Sequence, residues 1–215
     1  MKTIIAVPCM DQVAAPFAHS LACLQRVGEV MVSFQMGSLI YDARNNFSKM
    51  AISKDVDYVL WLDSDMIFPE DLLAQMIKHM EDGKDIVTGL YFRRRAPFTP
   101  VLFKELEINE EGGHWKDFDD YPVNGDPFEV AGCGFGCCMV RKSVLVDVAL
   151  NYQTWFTPFK NFGEDLAFAI RARELGYKIW CDPKIKCGHV GQLVVNEEVW
   201  IANKADEGAP AKRDA

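Results

Sequence analysis

Tyr58-Val59-Leu60-Trp61-Leu62 is an unbroken apolar run that stops abruptly at Asp63-Ser64-Asp65. A strand with one wet face alternates apolar and polar side chains, so a continuous run fits a strand covered on both faces, as in parallel α/β sheets. The residues around it support that reading. Thr3 to Val7 is a short β-rich run, read as a buried strand ended by Pro8. Pro16 opens a helix that carries Phe17, Leu21, Ala22 and Leu24 inward and stops near Gly28. Val30 to Gln35 reads as a second strand. Ser38 to Lys54 reads as a helix, with Ile40, Ala43, Phe47, Met50 and Ala51 at helical spacing. Pro69 opens another, with Glu70 and Asp71 in a favourable first turn and Leu72, Leu73, Met76, Ile77 and Met80 facing inward up to Gly83. Asp85 to Tyr91 is the next strand. This alternation predicts an α/β sandwich.

The second half has a different texture. Residues 104–128, rich in Glu, Asp, Gly and Pro, read as a long loop or irregular hairpin. Glu129 to Arg141 combines β-formers with Gly132, Gly134 and Gly136, which predicts strands joined where backbone approaches closely. Glu164 to Leu175 is an amphipathic helix with Gly176 as its C-cap, and Tyr177 to Cys181 a short strand. A single domain is expected over 1–203, with 204–215 a disordered tail.

Composition narrows the class. Of 215 residues, 49% are hydrophobic and 25% charged, which matches a globular chain with a sizeable core. With 23 basic and 31 acidic side chains the formal charge is −8, which makes nucleic acid an improbable partner. No apolar run approaches the roughly 18 residues of a membrane span. The N-terminal run meets Pro8 and Asp11 too soon for a signal core, so a cytoplasmic setting is expected. Seven cysteines, with no C-x-x-C pair, read as buried thiols in a reducing compartment rather than as a zinc site.

Three segments carry candidate chemistry. Asp63 and Asp65, just past the carboxyl end of a buried strand, sit where open α/β sheets bind ligands, and their oxygens suit a hard divalent cation that also bridges phosphates. Their other reading is a turn whose aspartates cap the next helix. Glu164 and Asp165 open a helix, where the dipole alone explains a carboxylate; functionally, one of them could take a proton from an acceptor hydroxyl. His189, between Gly188 and Val190, is either an ordinary polar contact or a metal ligand. Arg44 could hold a pyrophosphate or pair with an aspartate. Arg93-Arg94-Arg95 could reach phosphates, although at least two of the three read as solvated.

Together these residues resemble a glycosyltransferase of the GT-A fold. The resemblance rests on the run Tyr58 to Asp65, then Gly132-Cys133-Gly134-Phe135-Gly136-Cys137-Cys138-Met139-Val140-Arg141, then Gly163-Glu164-Asp165-Leu166-Ala167-Phe168 with Arg171 and Leu175-Gly176-Tyr177, and finally His189. It covers roughly residues 3–191 and is similar to family-2-like members; Arg44-Asn45 to Asp65 also resembles the Anp1-type mannosyltransferases. The resemblance implies a nucleotide-diphospho-sugar transferase fold, with a mostly parallel central sheet flanked by helices. It implies a metal-dependent, hexosyltransferase-like enzyme that moves a sugar from a UDP- or GDP-sugar donor to an unidentified acceptor hydroxyl, with Mn²⁺ or Mg²⁺ as cofactor and an inverting outcome.

The same resemblance assigns roles. Asp63 and Asp65 form the metal-site pair, Asp65 as direct ligand and Asp63 nearer the ribose or a metal-bound water, with His189 the C-terminal ligand. Asp165, with Glu164 beside it, takes the acceptor-base position. Pro8 and its following loop border the nucleotide base, Arg44 approaches the diphosphate, and Gly132 and Gly134 face the donor sugar and acceptor. The chain departs from the family in lacking an acidic residue over Val32 to Gln35, which leaves the base open. It also lacks the QxxRW-type motif of processive synthases. If the Anp1 likeness is the truer one, Asp165 binds substrate instead and the outcome could be retaining. Two rivals remain: a nucleotidyltransferase, disfavoured because Pro8 to Gln12 holds neither glycine nor a basic residue, and a non-catalytic nucleotide- or sugar-binding module.

Overall fold

The computed structural model describes residues 1–191 and 194–207. The chain opens with β1 (Lys2–Cys9), α1 (Ala15–Cys23), β2 (Glu29–Met36), α2 (Ile40–Ser53), β3 (Tyr58–Leu62) and β4 (Met66–Ile67). It continues through α3 (Leu72–Glu81), β5 (Ile86–Leu90), β6 (Leu102–Asn109), β7 (Gly112–Asp117), β8 (Phe128–Val130), β9 (Gly132–Cys133) and β10 (Cys137–Arg141). The last elements are α4 (Lys142–Tyr152), α5 (Glu164–Glu174), β11 (Ile179–Lys186), β12 (Gly188–Val190), β13 (Val194–Val195) and α6 (Glu197–Glu207).

Seven strands form the central sheet in the order β2-β1-β3-β10-β5-β11-β8. β1 runs parallel to β2 and β3, and β5 to β11, while β10 lies antiparallel between β3 and β5. With β8 reversed at the edge, five of the seven strands point the same way, as expected of a mainly parallel sheet.

β3 shows why its sequence is apolar throughout. Val59 and Trp61 enter one hydrophobic cluster, with Phe47 and Ala51 of α2, Val144, Leu145 and Val148 of α4, and Phe168, Ala169 and Ala172 of α5. Tyr58, Leu60 and Leu62 enter the other, with Phe17 of α1 and Leu72, Leu73, Met76, Ile77 and Met80 of α3. The period of two in side-chain direction sends alternate residues to opposite helical layers, so every position is buried.

Several expectations need correction. Pro8 does not end its strand; β1 continues to Cys9, and because it pairs with β3 only as far as Ala6, the proline meets no missing donor on that side. Ala22 is exposed, because α1 turns mainly Phe17 and Ser20 inward. Pro69 to Asp71 form a turn, and α3 starts only at Leu72. Part of the acidic stretch 104–128 follows the second of its two readings: β6 and β7 form an antiparallel hairpin whose register shifts between Phe103 and Glu105, with Gly112 at φ 137° against Asn161. The helix α4 had no counterpart in the sequence reading, because Val144, Leu145 and Val148 directly follow the β-forming run of β10. α6 runs to Glu207 and takes in the first four positions of the expected tail, whose remaining positions 208–215 lie outside the described residues.

Candidate active site

The strand β3 delivers Asp63, Ser64 and Asp65 to the carboxyl edge of the sheet, and three separate segments pin their backbone. Asp63 N–H donates to the Gly136 carbonyl at 3.0 Å, Ala14 N–H to the Ser64 carbonyl at 2.9 Å, and Val190 N–H to the Asp65 carbonyl at 2.8 Å. Neither aspartate caps a helix, because β4 intervenes before α3. β4 pairs antiparallel with β12, opposing Met66 to His189, and this small sheet carries the histidine to the aspartates from 124 residues further along the chain.

His189 Nδ1 lies 2.8 Å from the Phe92 carbonyl, which can only accept, so Nδ1 carries the proton and Nε2 presents a lone pair. Nε2 stands 3.5 Å from Asp65 Oδ1. An imidazole nitrogen oriented through its other nitrogen, beside a carboxylate oxygen, fits two ligands of a divalent cation whose other positions go to water and phosphate. Among the described residues no group of three or more His, Cys, Asp or Glu side chains forms such a cage. Burial works against the charge of Asp65, but His189 in its doubly protonated form, which donates from Nε2 as well, and the nearby Arg94 outweigh it and hold the carboxyl below its usual range.

Asp63 is turned elsewhere. Its Oδ1 accepts from Arg44 Nη2 at 3.0 Å, while Nη1 donates to the Phe135 carbonyl at 3.1 Å and Nε lies 3.5 Å from Glu164 Oε1. Arg44, only 2% exposed, therefore sits beneath the site as a bridge between the Asp63 and Glu164 segments. Phe135 and Phe156 flank its guanidinium, with centroids at 5.5 and 6.0 Å. Burial opposes its charge, yet Asp63, Glu164 and Asp165 raise its pKa overall.

Asp165 stands in the first turn of α5, half-buried, with Oδ1 accepting from Leu166 N–H at 2.8 Å. Burial first, and then the adjacent Glu164, push its carboxyl up to about 6. Gly132 and Gly134 are buried at close approaches: a Cβ on Gly132 would stand 3.0 Å from Leu106 and Leu166, and one on Gly134 only 2.0 Å from Tyr91 Oη. Pro8 is buried in β1, opposite Gln35.

Tyr91 is a site residue that the sequence reading did not single out. Its hydroxyl accepts from Gly136 N–H at 3.0 Å, and its ring meets that of His189 edge-on at 5.7 Å. Its one sequence signal was its place at the end of a strand parallel to β3, the same edge from which Asp63 projects. Of the three arginines expected to be largely solvated, Arg93 pairs with Asp117 at 2.7 Å and Arg94 with Asp65 at 2.6 Å. Asp63, Tyr91, these arginines and His189 line one open cavity of about 930 Å³.

The architecture aligns with solved structures of low sequence identity. It matches A197 from STIV with a TM-score of 0.65 at 20% identity, over 89% of this chain and 86% of that one. It matches GalNAc-T7, solved with UDP, GalNAc and Mn²⁺, with a TM-score of 0.62 at 11% identity, over 90% of this chain but only 44% of that one. No curated protein sequence matches the chain. The fold is GT-A, that of the nucleotide-diphospho-sugar transferases. Residues 37–148, more than half of the chain, match the model of glycosyl transferase family 2, and the protein belongs to that family. Arg44, Asp63, Asp65, Gly132 and Gly134 fall inside the matched region, whereas Glu164, Asp165 and His189 lie beyond it.

Proposed function

We propose that this glycosyltransferase moves a sugar from a nucleotide-diphosphate-sugar donor to an acceptor hydroxyl, with a divalent cation at Asp65 and His189 and with Asp165 as general base. The observation that carries this reading is the pairing of Asp65 Oδ1 with the lone-pair nitrogen of His189, 3.5 Å apart, where His189 lines the cavity. A cation held there, Mn²⁺ as in the GalNAc-T7 structure or Mg²⁺, would offset the negative charge of the departing diphosphate. Asp63, held against Arg44, faces the same cavity and suits a hydroxyl of the donor ribose or a cation-bound water. Gly134 keeps the backbone beside Tyr91 free of a side chain, and Gly132 does the same beside Leu106 and Leu166. Pro8 and the loop after it stand at the sheet edge as the border for the base.

Asp165 has the properties a base needs. A carboxyl raised to about 6 is largely ionised at neutral pH yet more basic than an ordinary aspartate. The acceptor oxygen, giving its proton to Asp165, bonds to the anomeric carbon as the bond to the nucleoside diphosphate breaks on the opposite face, a single inverting displacement. Glu164 remains paired with Arg44 and supplies charge rather than proton transfer.

The test is a thermal-shift titration with UDP, GDP, CDP and their sugars, each with and without Mn²⁺. A ligand at a hundredfold excess over its Kd adds about 2.7 kcal/mol, or roughly 5 °C or more for a chain of this size. One nucleotide should stabilise only with Mn²⁺, and Asp65→Asn should remove that dependence while the unliganded melting temperature stays intact. Unchanged metal-dependent binding in Asp65→Asn would refute the cation assignment. Binding with no release or transfer of sugar would instead mark a binding module, and the anomer of the product identifies the stereochemical course.

A further inference from the structure

We propose that Arg94 stands in for the divalent cation at Asp65 while the site is unloaded, and passes from that carboxylate to the donor diphosphate on loading. This deepens the reading of Asp65 and His189 given above and rests on it. Both oxygens of Asp65 are engaged: Oδ2 accepts from Arg94 Nη1 at 2.6 Å, while Oδ1 faces His189 Nε2 at 3.5 Å. The guanidinium thus lies against the carboxylate that a cation would need. A carboxylate with a positive partner already in place is half-prepared for a cation, but the two positive groups exclude each other at short range.

The segment carrying Arg94 is anchored at both of its ends. Val101 N–H donates to the Tyr91 carbonyl at 3.0 Å and Arg93 N–H to the Thr99 carbonyl at 2.9 Å, while the Arg93 side chain is tied to Asp117. Arg94, by contrast, is 52% exposed, and among the described residues its one ion pair is with Asp65. Pairs this open to water contribute little stability and exchange readily. Arg95 follows on the same cavity wall and makes no ion pair among the described residues. A diphosphate in this cavity offers paired anionic oxygens that a planar guanidinium can bind bidentately. Displacement of Arg94 from Asp65 by a cation frees it for that anion, so cation and diphosphate assist each other's binding through one side chain.

The test is calorimetric binding of Mn²⁺ alone, then of UDP, GDP and CDP at saturating Mn²⁺, to wild type, Arg94→Ala, Arg94→Lys and Arg95→Ala, with melting temperatures confirming that each is folded. Arg94→Ala should bind Mn²⁺ alone about fivefold more tightly. It should bind the preferred nucleoside diphosphate about tenfold more weakly. Arg94→Lys, which keeps charge without the planar fork, should fall between it and wild type on both counts. Arg95→Ala removes the same charge from the same wall and should leave Mn²⁺ binding nearer wild type. Equal Mn²⁺ shifts in Arg94→Ala and Arg95→Ala, or undiminished diphosphate affinity in Arg94→Ala, would overturn the proposal while leaving the reading of the site intact. A wild-type protein that binds neither Mn²⁺ nor any of the nucleotides would overturn the reading and the proposal together.

Discussion

Arg44 brings a full positive charge into the interior, and the cost of stripping its water falls on whatever surrounds it. Asp63, Glu164, the Phe135 carbonyl and two aromatic faces share that role. Its removal leaves carboxylates without a counter-charge, so Arg44→Ala should lose about 3–5 kcal/mol in urea unfolding. Arg44→Lys should recover little of this, because one ammonium cannot span three partners in a fixed plane; a loss below about 1 kcal/mol would show that the bridge is dispensable. Asp165 behaves in the opposite way. Its folded pKa of about 6 lies above the ordinary 3.8, so its contribution to stability is complete below about 3.8 and is lost as pH rises through about 6. Asp165→Asn should therefore be more stable than wild type at pH 7.5, by about 1–3 kcal/mol, while transfer collapses. In wild type the transfer rate should climb with pH through about 6. Normal transfer by the asparagine variant would remove Asp165 as base.

At the scale of elements, the site depends on a join that no single segment contains. β3 and β5 present Asp63 and Tyr91 at one sheet edge, the 132–136 segment crosses over them, and β4 with β12 brings in His189. The crossing is close because Gly134 has no Cβ: one placed there would stand 2.0 Å from Tyr91 Oη and 2.7 Å from Val101. Gly134→Ala should cost about 1–3 kcal/mol. Tyr91→Phe in the same background should recover part of that loss, since the tyrosine oxygen is the atom most in the way. A double-mutant cycle measures the coupling, and strictly additive losses would show that the ring and the glycine are independent. The sequence had marked Gly132, Gly134 and Gly136 as places of close approach, but it could not show that Tyr91 was the neighbour of the last two.

Across the whole molecule, two hydrophobic layers share one sheet. Leu73 of α3 and Leu145 of α4 lie in different clusters on opposite faces, both fully buried. Because β1, β3, β5 and β10 send alternate residues to each cluster, neither layer can loosen without the strands between them. Leu73→Ala and Leu145→Ala should each cost about 2–5 kcal/mol, and each should shift a single urea transition seen alike by circular dichroism and tryptophan fluorescence. A probe-dependent, two-step curve in either variant would mean that the faces unfold separately.

The sequence alone determined the α/β layering and the placement of the Asp63–Asp65 pair at a strand end. An apolar run covered on both faces and a helix closed by glycine are local patterns written in consecutive residues. It also singled out Glu164, Asp165 and His189 as residue types with candidate chemistry. Only the tertiary structure decided which of them meet. The antiparallel insertion of β10 depends on pairing with the distant strands β3 and β5, which short-range propensity does not encode. Arg44 could have faced a phosphate, and it became a buried bridge because α2 packs it between Asp63 and Glu164. The sequence did not say which of Arg93, Arg94 and Arg95 would be solvated; Arg94 is half exposed and lies on Asp65 because the 91–101 segment folds back on itself. Charge pairing is settled by distance in space, and that distance is a property of the packed chain.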